Sequence, residues 1–437
     1  MEKIEKKLFL KLVLLSVWSS FFLSINLNPH KFFEYNFINQ IRLTLPCMLT
    51  IVLLVFKYKD IKISNFTNIY SFLFYTIFFL YIFFNFTSLE NNIVNIYWPL
   101  YMFLSFFTLH NFTNSNEKDF LLKLTIFIIA LGFIFYFSVS TFELVSRPEI
   151  HFYGVLDKNL SYIGLEHPPR SSGLARLSLI LYSFLIFYFL VHKKRGNYTI
   201  LILLCFLATQ CLLYHSRTVS FIYFTLNILI IVFYYKKFFE SKKLIIFAII
   251  IPLFVNFFYN VNIISKRTND QKEHQIYSKE NLSIYGKDAL KNIFLRDSMG
   301  FKKNPEKFSS DRFYNWKKAI KIIRKDLIIG HGAQADRLLI SNQSIHNSLL
   351  YVTLSGGIFA GLALISIYIY SLIILIKFYL TKAYKTNKSS LIHFSGSILI
   401  IISLRSILET SFAVFSIDYL IYIIAFLFFT TELKKYD

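Results

Sequence analysis

Residues 347–376 read NSLLYVTLSGGIFAGLALISIYIYSLIILI, a run that contains no Asp, Glu, Lys or Arg. An α-helix needs about 20 apolar residues to cross the hydrocarbon core of a bilayer, so this run predicts a transmembrane helix. Similar runs recur along the chain, in which 55% of the residues are hydrophobic and only 16% are charged. We therefore expect an all-α, polytopic integral membrane protein.

Twelve runs have the length and composition of a membrane span. Nine of them lie in residues 1–261, a polar stretch follows at 262–346, and three more lie in 347–437, all within one membrane domain. The predicted spans are 8–27, 41–56, 69–87, 93–110, 121–141, 174–191, 199–214, 219–235, 244–261, 347–376, 391–408 and 411–430.

Clusters of Lys and Arg predict the orientation, because cytoplasmic loops of membrane proteins are enriched in these residues. The basic loops alternate with the spans if both termini are cytoplasmic, which places 262–346 on the outer side. The same rule accounts for the formal charge of +22 without a nucleic-acid partner. The clusters begin at Lys3, Lys57, Lys193, Lys236, Lys382 and Lys434.

His346 and Asn347 open the tenth predicted span. Ser344 is a candidate N-cap, which would place His346 in the first turn of the helix, where the helix dipole disfavours imidazolium. A neutral imidazole there could act as a general base. The alternative is a histidine that only marks the membrane interface. Asn347 beside it could orient a sugar or cap the helix.

Arg312 begins a predicted amphipathic helix whose apolar positions follow helical spacing. Asp311 is its candidate N-cap, and the stripe is expected on the membrane surface or on neighbouring spans. Arg312 could direct its planar, bidentate guanidinium at a phosphate. The alternative is a basic interfacial helix that contacts lipid headgroups. The stripe consists of Phe313, Trp316, Ile320, Ile323 and Leu327.

Four further arginines fall at the outer ends of predicted spans. Arg217 and Arg405 are expected to face a polar cavity, because a charge facing lipid costs a few kcal/mol. Glu409 lies one helical turn from Arg405, so a structural ion pair is the alternative for that arginine. Arg170 and Arg176 flank Gly173 and could also reach an anion.

Glycines mark two places along the same part of the chain. Gly330-His-Gly332 is expected to be a turn with a C-capping glycine at the end of the amphipathic helix. Gly357 and Gly361 form a Gly-x-x-x-Gly pattern, which favours close helix packing.

Recognisable nucleotide-binding, zinc-protease and serine-hydrolase motifs are missing from the sequence. No Asp-x-Asp pair on the outer side invites a divalent cation, so we expect neither a metal nor a cofactor. Arginines would then have to balance the charge of a diphosphate.

Between residues 170 and 410 the chain resembles the superfamily of O-antigen ligases and O-antigen polymerases, which are bacterial envelope glycosyltransferases. The resemblance rests on Arg-Ser-Ser-Gly at 170–173, Ser-Arg-Thr at 216–218, and Asp-Arg-x-x-x-Trp-Lys-x-Ala at 311–319. A Gly-x-Gly turn, the His-Asn pair and a Gly-Gly-Ile-x-x-Gly-Leu helix follow in that order.

The resemblance implies a GT-C-like fold in the inner membrane, with the active site in the periplasm. It also implies a polyprenyl-diphosphate-linked glycan donor, a sugar acceptor and an inverting transfer without a metal. His346 matches the general base, and Arg217 and Arg312 match the arginines that hold the diphosphate. Arg170 and Arg405 are weaker matches, and Trp316, Arg176 and Asn347 are candidates for orienting the acceptor.

Three functions remain open from the sequence. A polymerase would use a second lipid-linked repeat as acceptor, and the short interval between Arg312 and His346 favours this reaction slightly. A ligase would instead use the lipid A core in lipopolysaccharide biosynthesis. A lipid-linked glycan flippase would carry out no chemistry, but it predicts charges deep in several spans and symmetry between two halves.

Overall fold

A computed structural model describes the chain in ten ranges and at the isolated positions 48 and 51. All secondary structure within them is helical, which confirms the all-α expectation for this part of the chain. The predicted spans 8–27 and 41–56 lie outside the described ranges, as do Arg170, Asp311 and Ser344. The ranges are 69–87, 96–113, 115–146, 171–192, 198–213, 216–258, 312–340, 345–381, 389–411 and 416–435.

The helices before the long polar stretch are α1 Ile69–Thr87, α2 Tyr97–Phe112, α3 Ser115–Ser146, α4 Ser171–His192, α5 Tyr198–Leu213 and α6 Arg217–Glu240. A short α7, Lys242–Ile245, continues through a π-helical turn, Ile246–Ile250, into helical residues 251–258. The helices after it are α8 Arg312–Lys325, α9 Ala335–Leu339, α10 Ser348–Leu380, α11 Ser390–Leu408 and α12 Ile417–Leu433.

Five of the described helices are long and apolar enough to cross a membrane, namely α1, α4, α6, α10 and α11. Each coincides with a predicted span to within a few residues, and α1 has the predicted bounds 69–87. These helices indicate a multi-pass membrane protein. The count of twelve spans, the division into domains and the side of the membrane on which each loop lies stay predictions.

Helix α12 lies in the centre of the bundle. Its side chains are buried on all faces from Ile417 to Thr430, as expected for a helix that is apolar all round. It packs against α11, α3, α2 and α10. Buried hydroxyls join it to its neighbours, since the oxygens of Ser371 and Tyr422 lie 2.7 Å apart. The rigid centre therefore fixes the end of α12, where Asp418 lies.

Helix α10 is broken at Gly357, whose φ of 72° and ψ of −178° are not helical. The segment that follows α8 is inserted at this break. The Ile358 N–H donates to the Leu327 carbonyl at 3.0 Å, and the His331 N–H donates to the Leu354 carbonyl at 2.9 Å. Leu354 and Ile358 would bond to each other in a continuous helix, so the inserted segment replaces one helical hydrogen bond with two.

Glycine is needed at both sides of this insertion, and neither of the two interpretations made from sequence holds. A Cβ at Gly357 would meet the Ile328 carbonyl oxygen, so Gly357 admits the backbone of a loop instead of a packed helix. A Cβ at Gly330 would lie 2.7 Å from the Gly356 Cα, while α8 already ends at Lys325. Gly330 is therefore a docking residue and not a helix C-cap.

Candidate functional site

Glu409 joins the two strongest candidates from the sequence. Its Oε2 lies 2.9 Å from Nδ1 of His346, and its Oε1 accepts a hydrogen bond from the Arg312 guanidinium at 2.9 Å. The three residues come from the junction after α11, the approach to α10 and the first position of α8. The structure thus brings together Arg312 and His346, which are well separated in sequence.

The end of α11 explains why the three segments meet here. The last carbonyls of a helix lack partners within the helix and must be satisfied from outside. Arg312 donates to the Leu408 carbonyl, Asn347 Nδ2 to the Ile407 carbonyl, and Ser348 Oγ to the Glu409 carbonyl, each at 2.9 Å. A guanidinium is also favoured at this negative end of the helix dipole. Helix α11 therefore anchors both other segments.

The N-cap of α10 is Asn347 and not Ser344. The Asn347 Oδ1 accepts a hydrogen bond from the Leu350 N–H at 2.9 Å, and the helix begins at Ser348. His346 therefore precedes the cap instead of lying in the first turn, with a φ of 52° in the left-handed region. Such a conformation costs about 1–3 kcal/mol in a non-glycine residue, so surrounding contacts must hold it.

Hydrogen bonds to the carbonyl and the N–H of Ile345, the residue before His346, supply that restraint. The Trp316 indole donates to the Ile345 carbonyl at 2.7 Å, and the Ile345 N–H donates to the Asp336 carboxylate at 3.2 Å. Asp336 also accepts from the Arg337 N–H at 2.9 Å. Trp316 thus acts on the backbone beside His346, while its predicted role in orienting an acceptor stays a prediction.

The two carboxyl groups around His346 have different electrostatic surroundings. Burial raises the pKa of Asp336 above its ordinary value, against the opposing effect of hydrogen bonds from the Ile345 and Arg337 amides. Burial also acts to raise the pKa of Glu409, but the hydrogen bond with His346 and the charges of Arg405 and Arg312 outweigh it. The net pKa of Glu409 is lowered, so its carboxylate is ionised at neutral pH.

An ionised Glu409 can only accept a hydrogen bond, so it fixes the tautomer of His346. The proton then resides on Nδ1, and Nε2 carries the lone pair. The side chain of His346 is 40% exposed, so a substrate hydroxyl can approach the imidazole. A carboxylate that orients the imidazole of a general base also stabilises the imidazolium after proton transfer.

Arg405 does not pair with Glu409, although the spacing suggested it. Its Nε donates to the Asp418 Oδ2 at 3.1 Å, and Arg176 donates to the Asp418 Oδ1 at 3.3 Å. The side chain of Asp418 is 2% exposed, and those of Arg176 and Arg405 are 14% and 12% exposed. These three residues form a nearly dry cluster between α4, α11 and α12.

Arg217 is the first residue of α6 and is exposed. Its part in holding a diphosphate stays a prediction, as does that of Arg170 outside the described ranges. In the described part of the chain, no three His, Cys, Asp or Glu side chains gather as metal ligands.

Sequence reasoning missed Asp418 and Asp336 and gave Glu409 the wrong partner. Asp418 lies inside the predicted span 411–430, where an ionisable residue is costly and usually paired. That position alone could have singled it out. Asp336 offers no comparable signal, because acidic residues in a polar stretch are common.

Residues 200–365 match the O-antigen ligase family, Wzy_C. The match confirms the resemblance to the O-antigen ligase and polymerase superfamily over the part of the chain that holds Arg217, Arg312 and His346. Glu409 and the Asp418 cluster lie beyond it. No curated protein and no solved structure matches the chain.

Proposed function

From the O-antigen ligase match over residues 200–365 and the contacts of His346, we propose that this chain transfers a glycan from a polyprenyl-diphosphate-linked donor to a sugar hydroxyl. The observation that carries this proposal is the 2.9 Å contact between His346 Nδ1 and Glu409 Oε2. The Glu409 carboxylate, which also binds Arg312, thereby fixes the tautomer of His346 in which Nε2 is the basic nitrogen.

In the proposed reaction, His346 Nε2 accepts the proton of the acceptor hydroxyl. The hydroxyl oxygen forms a bond to the anomeric carbon, and the bond from that carbon to the diphosphate oxygen breaks. Attack from the face opposite the leaving group inverts the anomeric centre. The imidazolium that forms is stabilised by Glu409 and later returns the proton to solvent.

Arg312 supports the departure of the polyprenyl diphosphate. Two of its N–H groups bond Leu408 and Glu409, and a guanidinium has five such donors, so further donors remain for a diphosphate oxygen. Arg217, exposed at the start of α6, is proposed as a second contact to the diphosphate. Arginine donors that are fixed in advance stabilise developing charge without reorganisation.

The acceptor is proposed to be a second lipid-linked repeat, as in a polymerase. Residues 312–340 fold back onto the first turns of α10 through α8, the inserted loop and α9, with Ala319, Ile323, Ala335 and Leu354 in one small apolar cluster. This compact arrangement supports a small acceptor better than a large lipid A core. Ligation to the core is the competing reaction.

The central test is His346→Ala in purified, reconstituted protein. Transfer is expected to fall by about 10²- to 10⁴-fold, the usual contribution of a general base. Binding of the lipid-linked donor should persist, because the arginines remain. Turnover at the wild-type rate would refute the assignment of His346 as the base.

Glycolipid profiles of a deletion strain distinguish the two acceptors. Loss of a polymerase leaves single repeats on the core, whereas loss of a ligase leaves free lipid-linked polymer. If purified wild-type protein makes no product with any acceptor mixture but moves lipid-linked glycan across vesicles, a flippase is favoured instead.

A further inference from the structure

The apolar side chains of α8 fall into two groups, one buried in the protein and one exposed on its surface. Ala319 and Ile323 are buried against α10, whereas Phe313 and Ile320 are 54% and 38% exposed. The exposed pair is seven residues apart, so it lies along one flank of the helix. That flank therefore exposes two large apolar side chains.

The exposed apolar flank continues in the segment after α8. Leu327, Ile328 and Ile329 are three consecutive residues that are 49%, 63% and 55% exposed. Such a run on a soluble surface would be an aggregation hazard, which indicates that this one has a functional contact.

The position of this run along α10 indicates what it contacts. The Leu327 carbonyl bonds the Ile358 N–H, so the run lies beside the Gly357 break. Helix α10 has 33 residues, or about 50 Å at 1.5 Å per residue, against a hydrocarbon core of about 30 Å. About 20 residues cross the core, and if these are the last 20 of α10, the break falls at the boundary between hydrocarbon and headgroups.

Basic residues occupy the face of α8 next to the apolar flank. Lys317, Lys321, Arg324 and Lys325 are all exposed. Lys317 and Arg324 are seven residues apart, like Phe313 and Ile320, and lie beside them on the helix surface. Long basic side chains at a membrane boundary extend their charged ends toward phosphate groups while their stems remain among apolar groups.

We propose that Phe313, Ile320 and the Leu327–Ile329 run, with the four basic residues of α8, form a surface that binds the headgroup layer of an acidic phospholipid bilayer. The apolar residues insert among the upper parts of the acyl chains, and the cations contact the phosphates. Helix α8 begins with Arg312, so bound lipid also fixes the height of the candidate site above the membrane.

Quenching of tryptophan by brominated lipid tests this proposal on the full chain in nanodiscs. The reporter is Ile328→Trp, and the fluorescence of the native tryptophans is subtracted with the wild-type protein. The bilayer contains phosphatidylcholine and phosphatidylglycerol. Two samples are compared, one with brominated phosphatidylcholine and one with brominated phosphatidylglycerol, at the same mole fraction of brominated lipid. Brominated phosphatidylglycerol is expected to quench the reporter about twofold more than brominated phosphatidylcholine.

Two controls accompany the reporter. Ile369→Trp, at an exposed position of α10 that is farther from the break, should be quenched equally by both lipids. Combined Lys317→Gln, Lys321→Gln, Arg324→Gln and Lys325→Gln should bring the ratio at position 328 to one, as should high salt. Unchanged quenching of Ile369→Trp in that variant shows that α10 is still inserted.

Equal quenching of Ile328→Trp by both lipids in the unaltered charge background would overturn the preference for acidic lipid. No quenching by either lipid would overturn the membrane contact itself. The experiment uses no glycan substrate, so its outcome is independent of the proposed transferase activity.

Discussion

Two acidic residues each bind two nitrogen-bearing side chains, but the two clusters differ in their contact with water. Glu409 binds Arg312 and His346, whose side chains are 27% and 40% exposed. Asp418 binds Arg176 and Arg405, whose side chains are 14% and 12% exposed. The first cluster is open on one side, and the second is closed within the bundle.

The difference indicates that the two clusters have different roles: the Glu409 cluster is suited to chemistry, and the Asp418 cluster is suited to positioning helices. A group that exchanges a proton with substrate must be reachable, as His346 is. A buried ion pair is rarely a net source of stability, but removing one partner is costly, so the Asp418 cluster holds its helices in one arrangement. Arg405 links the clusters, since it bonds Asp418 and its charge also lowers the pKa of Glu409.

The largest expected effect is on stability, from Asp418→Ala. This change leaves Arg176 and Arg405 buried without their carboxylate, which costs about 3–5 kcal/mol. Thermal unfolding of the detergent-solubilised protein should show a large drop in midpoint. Asp418→Asn is the control of matched shape. If Asp418→Ala unfolds like the wild type, the closed cluster does not position the helices.

Glu409→Gln should affect activity more than stability. The amide keeps the shape of the side chain but cannot stabilise an imidazolium, so transfer should fall by about 10²-fold. Steady-state transfer rates check this effect.

The control for this change is Glu409→Asp, which keeps the charge and shortens the reach. It should retain more of the wild-type transfer rate than Glu409→Gln does. A Glu409→Gln rate equal to that of the wild type would remove Glu409 from the mechanism.

Arg312→Lys should give a smaller loss of about tenfold in transfer. An ammonium cannot bridge the Leu408 carbonyl and the Glu409 carboxylate as a planar guanidinium does, and one charged hydrogen bond contributes about 1.5 kcal/mol. Arg324→Lys, the same change at the other end of α8, is the matched control and should leave transfer unchanged. Equal rates for the two variants would contradict the role of Arg312.

The smallest effect concerns stability at acidic pH. The pKa of Glu409 is lowered in the folded protein, so its stabilising contribution is complete above the ordinary glutamate pKa of about 4.3. It is lost as the pH falls through the lower, folded value. The gap in thermal midpoint between wild type and Glu409→Gln should therefore be constant near neutrality and narrow below about pH 4. A gap that persists in acid would contradict a stabilising contribution from the charge of Glu409.

The helices were predictable because apolar runs of membrane length have few alternatives in lipid. The bounds of α1 and α11 differ from the predicted spans by no more than one residue. The placement of His346 and Arg312 in one site was expected only from the resemblance, because nothing in the sequence around either residue requires it.

The errors at the site have a common physical origin, which is the assumption that helical spacing continues past a helix end. Glu409 has φ and ψ of −145° and 158°, an extended conformation, so it does not lie one turn above Arg405. Glu409 points instead toward α8 and the segment before α10. The N-cap of α10 likewise lies at Asn347, which single-residue preferences do not separate from Ser344.

The break at Gly357 has a consequence for how the molecule is made. Residues 327–332 are synthesised before residues 354–358. The segment that bonds to the break in α10 is therefore made before the break itself. In the folded protein the carbonyls of Leu354 and Ser355 and the N–H of Ile358 bond to this earlier segment. Assembly of the site is thereby tied to completed membrane insertion, and a chain truncated just before Leu354 would lack the groups that bond its loop.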